Sequence, residues 1–236
     1  MYAMNKKIGA EILRFDELPS TNNYAKEKRA EGKDLVVIAK KQSGGRGTKG
    51  RSFVSEEGGV YLSKLTFYAD FLASEAFQIM ATAAVSVCET LEYFGLNPVI
   101  KWANDVYVSD KKICGILIEN VFSGNTIRSS VVGIGLNVCN RLPAELETIA
   151  TTMERETGKR FSVEEVTNRL VENLEKKKTM KQYLSYLGYM GRQAELILGD
   201  ERVHGRLVSV DERGALTVEI DGKMKILTAA EVSVRL

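Results

Sequence analysis

The chain has 236 residues, is 44% hydrophobic, and carries 33 bases against 31 acids for a net charge of +2. This is enough chain for one large domain, or a large domain with a small companion, and the charge balance excludes a chain-wide drive toward nucleic acid. Three scattered cysteines (Cys88, Cys114, Cys139), a single histidine (His204) and no apolar run of about 20 residues argue against a disulfide framework, a protein-built zinc site and a membrane span, and for a cytoplasmic protein.

Helix signals begin near Thr21, after Pro19 and Ser20, and run to Gly32. Residues 35–39 form a short β-rich run that leads into QSGGRGTKGR at 42–51. Residues 60–67 alternate as a strand should. Residues 74–94 give the clearest helix: Phe77, Met80, Ala84, Val87, Leu91 and Phe94 recur at steps of 3 and 4, with Gly95 placed to end it. Strands follow at 99–102, 106–108, 113–120 and 127–138, with turns at 109–112 and 123–125. Helices return at 145–156 and 163–175, the second opened by Ser162 and Glu165 as a capping box. Lys176, Lys177, Lys178 and Lys181 read as a solvated helix end, or as a docking patch for an acidic partner. After Gly191 come short strands at 194–198, 203–210, 215–220, 223–227 and 232–235. A module this small is expected to dock on the first domain, since no Pro/Ser-rich spacer precedes it.

The segment 42–51 carries the chemistry. Four glycines and three basic side chains share it, and no acid lies between Asp34 and Glu56. Glycine lets backbone N–H groups come close to a ligand, and with Arg and Lys beside them they suit phosphate or carboxylate. A solvated basic loop, or one resting on nucleic acid, is the competing reading.

Residues 101–120 read KWANDVYVSDKKICGILIEN and residues 133–138 read GIGLNV. In this order, with the basic loop and the upstream Ser20-Thr21-Asn22, they resemble the catalytic domain of biotin protein ligases. That family shows a Gly-Arg-Gly-Arg-x-Gly-Arg loop, Lys-Trp-Pro-Asn-Asp, a Lys before a Gly-Ile-Leu strand, and Gly-x-Gly-x-Asn. The resemblance runs from about Leu13 to the C-terminus and is weakest between Leu142 and Gly191. It implies an α+β fold: a class II aminoacyl-tRNA synthetase-like catalytic domain with a mixed or antiparallel sheet over 1–190, then an SH3-like β-barrel over 191–236. It implies ATP-dependent activation of biotin as biotinoyl-5′-AMP, with Mg²⁺ accompanying the ATP, and transfer to a lysine of a biotin carboxyl carrier protein. With only about a dozen residues ahead of the matched region, the expectation is the short form without a DNA-binding helix-turn-helix. Relatives dimerise through an exposed sheet edge, a part open here to residues 127–138.

The same resemblance implies the site residues. Arg46 bridges the biotin carboxylate and the α-phosphate, Lys112 holds the carboxylate oxygens, and Asp105 helps hold Mg²⁺ or receives the lysine amine. Adjacent Lys111 is the decoy for Lys112. Ser20, Thr21, Asn22 and Gln42 meet the ureido ring, although Ser20 or Thr21 also suits a helix N-cap. Gly45, Gly47, Thr48 and Gly115 complete the biotin contacts. Arg51, Phe53, Asn104, Asn137 and Arg235 serve ATP, while Trp102 reads equally as core. Three positions depart from the family pattern: Thr48 stands for Arg, Ala103 for Pro and Phe53 for Trp. A lipoate or octanoate ligase or transferase on the same fold is the nearest rival. A nucleic-acid-binding module is the rival from another class; low net charge and no aromatics interleaved with the basic stretch count against it.

Overall fold

The computed structural model describes residues 10–229 and 232–235. Seven strands form one mixed sheet: β1 (Glu11–Leu18), β2 (Leu35–Gln42), β3 (Gly59–Leu72), β4 (Val99–Lys101), β5 (Asp105–Val108), β6 (Lys111–Ser123) and β7 (Thr126–Asn137). Their order is β1-β2-β3-β7-β6-β5-β4, and only β1 and β2 run parallel. Period-2 alternation splits the sheet into two faces. Val36, Ile38, Val60, Leu62, Ile116, Ile134 and Leu136 join the main core with α2 (Phe77–Tyr93) and α4 (Val163–Leu174). Leu35, Val37, Leu65 and Val131 form a smaller cluster with Ala25 of α1 (Thr21–Glu27). The basic loop follows β2 and the motif residues end or begin strands, so the sheet gathers them on the α1 side. Among the described residues no helix is long and apolar enough to cross a membrane.

The long helix ends as its sequence predicts. Gly95 takes φ +83°, its N–H bonds Glu92 O, and Leu96 N–H bonds Leu91 O, which closes a Schellman motif. Ser162 caps α4 by accepting from Glu165 N–H.

Other expectations need correction. The helix expected over 145–156 is only a turn at Ala144–Leu146 and the short α3 (Met153–Thr157). The intervening backbone is drawn alongside β6: Lys112 N–H bonds Ile149 O, and Thr151 N–H bonds Lys112 O, both at 2.9 Å. The basic cluster is no single patch. Thr179 and Gln182 form a capping box that starts a further helix, α5 (Met180–Tyr186). Ahead of it Lys178 is buried against Glu89, and Lys176 donates to Asn173. Residues 127–138 offer no free edge, because β7 is paired with β3 on one side and β6 on the other.

The last five strands, β8 (Gln193–Leu198), β9 (Glu201–Val210), β10 (Leu216–Ile220), β11 (Lys223–Leu227) and β12 (Val232–Arg235), form an antiparallel sheet in the order β11-β10-β9-β8-β12. Among the described residues β11 and β12 stand at opposite ends of that order, an open sheet in place of a closed barrel. It is docked, as expected: Leu196, Leu207 and Val218 join the main core, and Trp102 Nε1 donates to Gly214 O at 3.0 Å. Trp102 is thus a core and docking residue, and its peptide to Ala103 is cis.

Candidate active site

A cleft on the α1 face has a polar end and a charged end. At the polar end Ser20 caps α1, accepting weakly from Asn23 N–H at 3.4 Å. That leaves Thr21 and Asn22 in the first turn, buried and aimed at the sheet. Thr21 donates twice to Gln42 Oε1, from N–H at 2.8 Å and from Oγ1 at 3.0 Å. Gln42 Nε2 in turn donates to Ser55 Oγ at 2.9 Å. From β3, Ser63 Oγ lies 2.7 Å from Thr21 Oγ1 and 2.6 Å from Asn22 Oδ1. Asn22 Nδ2 donates to Glu119 Oε2 at 3.0 Å. Donors and acceptors are therefore fixed in place before any ligand arrives. The approach is so close that a Cβ on Gly133 would meet Asn22 Oδ1 at 2.0 Å.

The charged end is built from the loop and from β5–β6. The register pairs Asp105 with Gly115, which sets Asp105 beside Lys112; their ion pair measures 2.7 Å. Asn104 Nδ2 braces it, donating to Asp105 Oδ1 at 3.2 Å and to Ile116 O at 3.0 Å. Arg46 reaches across the loop to Asn23 Oδ1 at 2.9 Å and Glu119 Oε1 at 3.1 Å. Arg51 is held by Thr48, through its carbonyl at 3.2 Å and its hydroxyl at 3.0 Å.

Electrostatics mark this end as cation-rich. Burial pushes the Lys101 ammonium below its ordinary pKa; Asp105 opposes this, whereas Lys112, Arg51 and Arg235 push it further down. Several cations crowding one spot are relieved by a polyanion. Glu119 is the counterpart. Burial raises its pKa, but hydrogen bonds from Asn22 and Lys26 and the charges of Lys26 and Arg46 outweigh burial, so its carboxyl sits below the usual range.

The cleft has only about 90 Å³ of open volume, against roughly 300–1,000 Å³ for ordinary small-molecule pockets. Phe53 takes the space: its ring lies where a Cβ on Gly135 would be, 2.5 Å away, and also covers Gly115. A more open groove of about 470 Å³ lies between β1–β2 and the start of α4, away from the motif residues.

Of the residues singled out from sequence, Ser20, Thr21, Asn22, Gln42, Arg46, Gly47, Thr48, Arg51, Phe53, Asn104, Lys112 and Gly115 all line the cleft. Asp105 reaches it through Lys112. Gly45 does not line it; its open side faces Phe53 O and Ser55, so it serves the loop's own fold. Arg235 pairs loosely with Glu195 at 3.7 Å and approaches only as a charge felt at Lys101. Asn137 is not brought to the cleft. It is buried, with Nδ2 donating to Thr151 O and Oδ1 accepting from Asn140, so its amide is spent on tying loops together. Sequence reasoning missed Ser63, Lys101, Glu119, Gly133 and Gly135. The two glycines, Lys101 and Glu119 stood inside quoted motifs without a role of their own; Ser63 had no signal beyond its place on an alternating strand.

Comparison with known proteins gives the family of the chain. Residues 14–137 match the model of the biotin/lipoate A/B protein ligase family, and residues 189–235 match the biotin protein ligase C-terminal domain. The bifunctional ligase/repressor BirA of Bacillus subtilis is 29% identical over 95% of this chain and 74% of its own length. The biotin–[acetyl-CoA-carboxylase] ligase of Paracoccus denitrificans is 28% identical over 83% of this chain and 88% of its own. Among solved structures, the Aquifex aeolicus biotin protein ligase in complex with biotin and ATP superposes with a TM-score of 0.76 at 31% identity, covering 95% of this chain and 98% of that one.

Proposed function

This chain belongs to the biotin/lipoate A/B protein ligase family, and we propose that it is an ATP-dependent biotin ligase. It joins biotin to AMP with release of pyrophosphate, then transfers the biotinoyl group to a lysine of a biotin carboxyl carrier protein. The single observation that carries this is the cleft itself: a fixed row of amide and hydroxyl groups at one end, Arg46 and Lys112 at the other. The ureido ring is a planar group with N–H donors flanking a carbonyl acceptor, and Thr21, Asn22 and Gln42 complement it. A linear lipoyl chain has no use for that row, and the C-terminal match is to biotin ligases.

In the first step a carboxylate oxygen bonds the α-phosphorus while the bond to pyrophosphate breaks. Two anions meet, so catalysis consists chiefly of cations placed in advance. Arg46 neutralises the carboxylate and the α-phosphate, Lys112 holds the carboxylate oxygens, and Arg51 with Lys101 receives the outgoing phosphates. Phe53, displaced from Gly135, covers the bound rings. Arg235 adds positive potential from the second sheet. In the second step Asp105 accepts a proton from the lysine ammonium, the freed amine bonds the acyl carbon, and AMP leaves as the nitrogen's second proton passes to its phosphate.

Among the described residues no three acids gather as a metal cage. One carboxylate, Asp105, beside Asn104 suits a Mg²⁺ that arrives held by the nucleotide phosphates. That ion would neutralise phosphate charge. Residues 1–190 form the catalytic domain in this reading and 191–236 the accessory one. Three free cysteines support a reducing, cytoplasmic setting for the reaction.

The test is pyrophosphate release from ATP with biotin, with lipoate and with neither. Release that requires biotin is the expected result. Release driven equally by lipoate overturns the substrate assignment, and no release with either overturns the activity.

A further inference from the structure

Glu119 sits on β6, two residues beyond Leu117 on the cleft face, and the family resemblance assigns it no role. Four contacts converge on its carboxylate. Asn22 Nδ2 fixes Oε2 at 3.0 Å, and Lys26 Nζ fixes Oε1 at 3.0 Å. The Oε1 so held accepts from Arg46 Nη1 at 3.1 Å, with Oε2 at 3.4 Å. Asn23 Oδ1 shares the same Arg46 nitrogen at 2.9 Å. Among the described residues every hydrogen bond to this guanidinium is made at Nη1. Its Nε and Nη2 carry no partner among the described residues and stay available to an anion in the cleft.

We propose that Glu119 is the positioning residue for Arg46: a carboxylate anchored on the sheet floor that holds one nitrogen of the fork so that the other edge faces the reacting carboxylate and phosphate. Arg46 comes from a glycine-rich segment with little packing of its own and is about two-fifths exposed. A long side chain on such a loop loses rotamer freedom when it binds, and an anchor that removes that freedom beforehand favours the productive pose. Glu119 suits the task because its own carboxylate is immobilised from α1, by Asn22 and Lys26. With the charge gone, Lys26 and Arg46 would face each other across a neutral group and repel.

The inference rests on the biotin-ligase reading, so wild-type biotin-dependent pyrophosphate release is measured first; its absence sinks that reading and not this one alone. Glu119→Gln keeps the shape but sets an amide N–H₂ against three donors. We expect its rate of adenylate formation to fall about tenfold, the scale of one charge-assisted hydrogen bond. The KM for ATP should change less than about threefold, and the melting temperature should stay near that of wild type. Glu119→Asp keeps the charge but withdraws it from Arg46, and should show a similar loss; it also decides the matter if the Gln variant folds poorly. The distinguishing readout is the double variant. In an Arg46→Ala background Glu119→Gln should cost little more, because the group it positions is gone. Full activity in both Glu119 variants, or an undiminished tenfold loss in the Arg46→Ala background, overturns the proposal.

Discussion

The 42–53 segment and the strands beneath it build the same cleft in opposite ways. The loop carries its chemistry in side chains held by very few contacts: Arg51 by Thr48, Arg46 by two residues outside the loop, and Phe53 resting on glycines. The strands carry theirs by register. Lys112 meets Asp105 because β5 pairs with β6, and Ser63 meets Asn22 because β3 passes under α1. Strand pairing holds the floor's donors and acceptors at fixed spacing, whereas the loop's cationic side chains hang on a few contacts. Preorganisation is therefore strongest in the sheet.

The strongest way to break that comparison is to remove one cation from each region. Arg46→Ala on the loop and Lys112→Ala on the strand should each slow adenylate formation by about 10²–10³, the usual cost of one preorganised donor to developing charge. Both variants should stay folded, since both side chains are partly exposed. Near-normal pyrophosphate release in either would remove that residue from the chemistry. If Lys112→Ala alone matters, the loop's role is closure rather than charge.

The same division explains what the sequence disclosed. The loop was legible because its function is written in composition: glycines and bases without acids. Lys112 and Asp105 were legible because a short hairpin keeps them near in sequence. Ser63 and Glu119 were not, since their partners lie 41 and 97 residues away and only the pairing of distant strands brings them in. Asn137 shows the reverse failure. Its motif drew attention, yet Asn140 in the turn beyond β7 and Thr151 ahead of α3 take up the two ends of its amide. The helix expected at 145–156 failed for a similar reason, as β6 captures that backbone with hydrogen bonds that local propensity does not register. Helix α2 was legible in its body and its C-terminal stop, because its spacing and its glycine are local features, although it starts at Phe77 where Ser74 was expected.

Glycine substitutions sharpen the contrast at intermediate size. A Cβ on Gly133 would meet the fixed Asn22 amide at 2.0 Å, whereas one on Gly135 would meet the Phe53 ring at 2.5 Å. Asn22 is bonded on both sides and cannot retreat without losing Ser63 or Glu119. Gly133→Ala should therefore cost about 1–3 kcal/mol, the range for overpacking, and weaken biotin binding. Gly135→Ala pushes on a ring that the loop can carry away, so its melting temperature should fall less. Thermal unfolding and biotin titration of the two variants check this. An equal loss in both would mean that Phe53 is as firmly seated as the floor.

The smallest effect concerns Thr48, where the family pattern has Arg. Here Thr48 accepts two hydrogen bonds from the Arg51 side chain, one at its hydroxyl and one at its carbonyl. It offers the cleft no charge of its own, and neighbouring Lys49 is turned into a left-handed conformation at φ +55°. Thr48→Arg would add a guanidinium at the cleft wall and remove the hydroxyl acceptor, leaving Arg51 held only by the carbonyl. Both changes put more unsatisfied cationic donors beside a bound adenylate. Its dissociation should slow by an amount worth about 1–2 kcal/mol, one charged hydrogen bond at most. The comparison is wild type against Thr48→Arg, following adenylate release and the labelling of free lysines in solution. Slower release with less stray labelling supports retention by loop charge. Unchanged rates would mean that the sheet floor alone retains the intermediate, and that the loop acts only at entry.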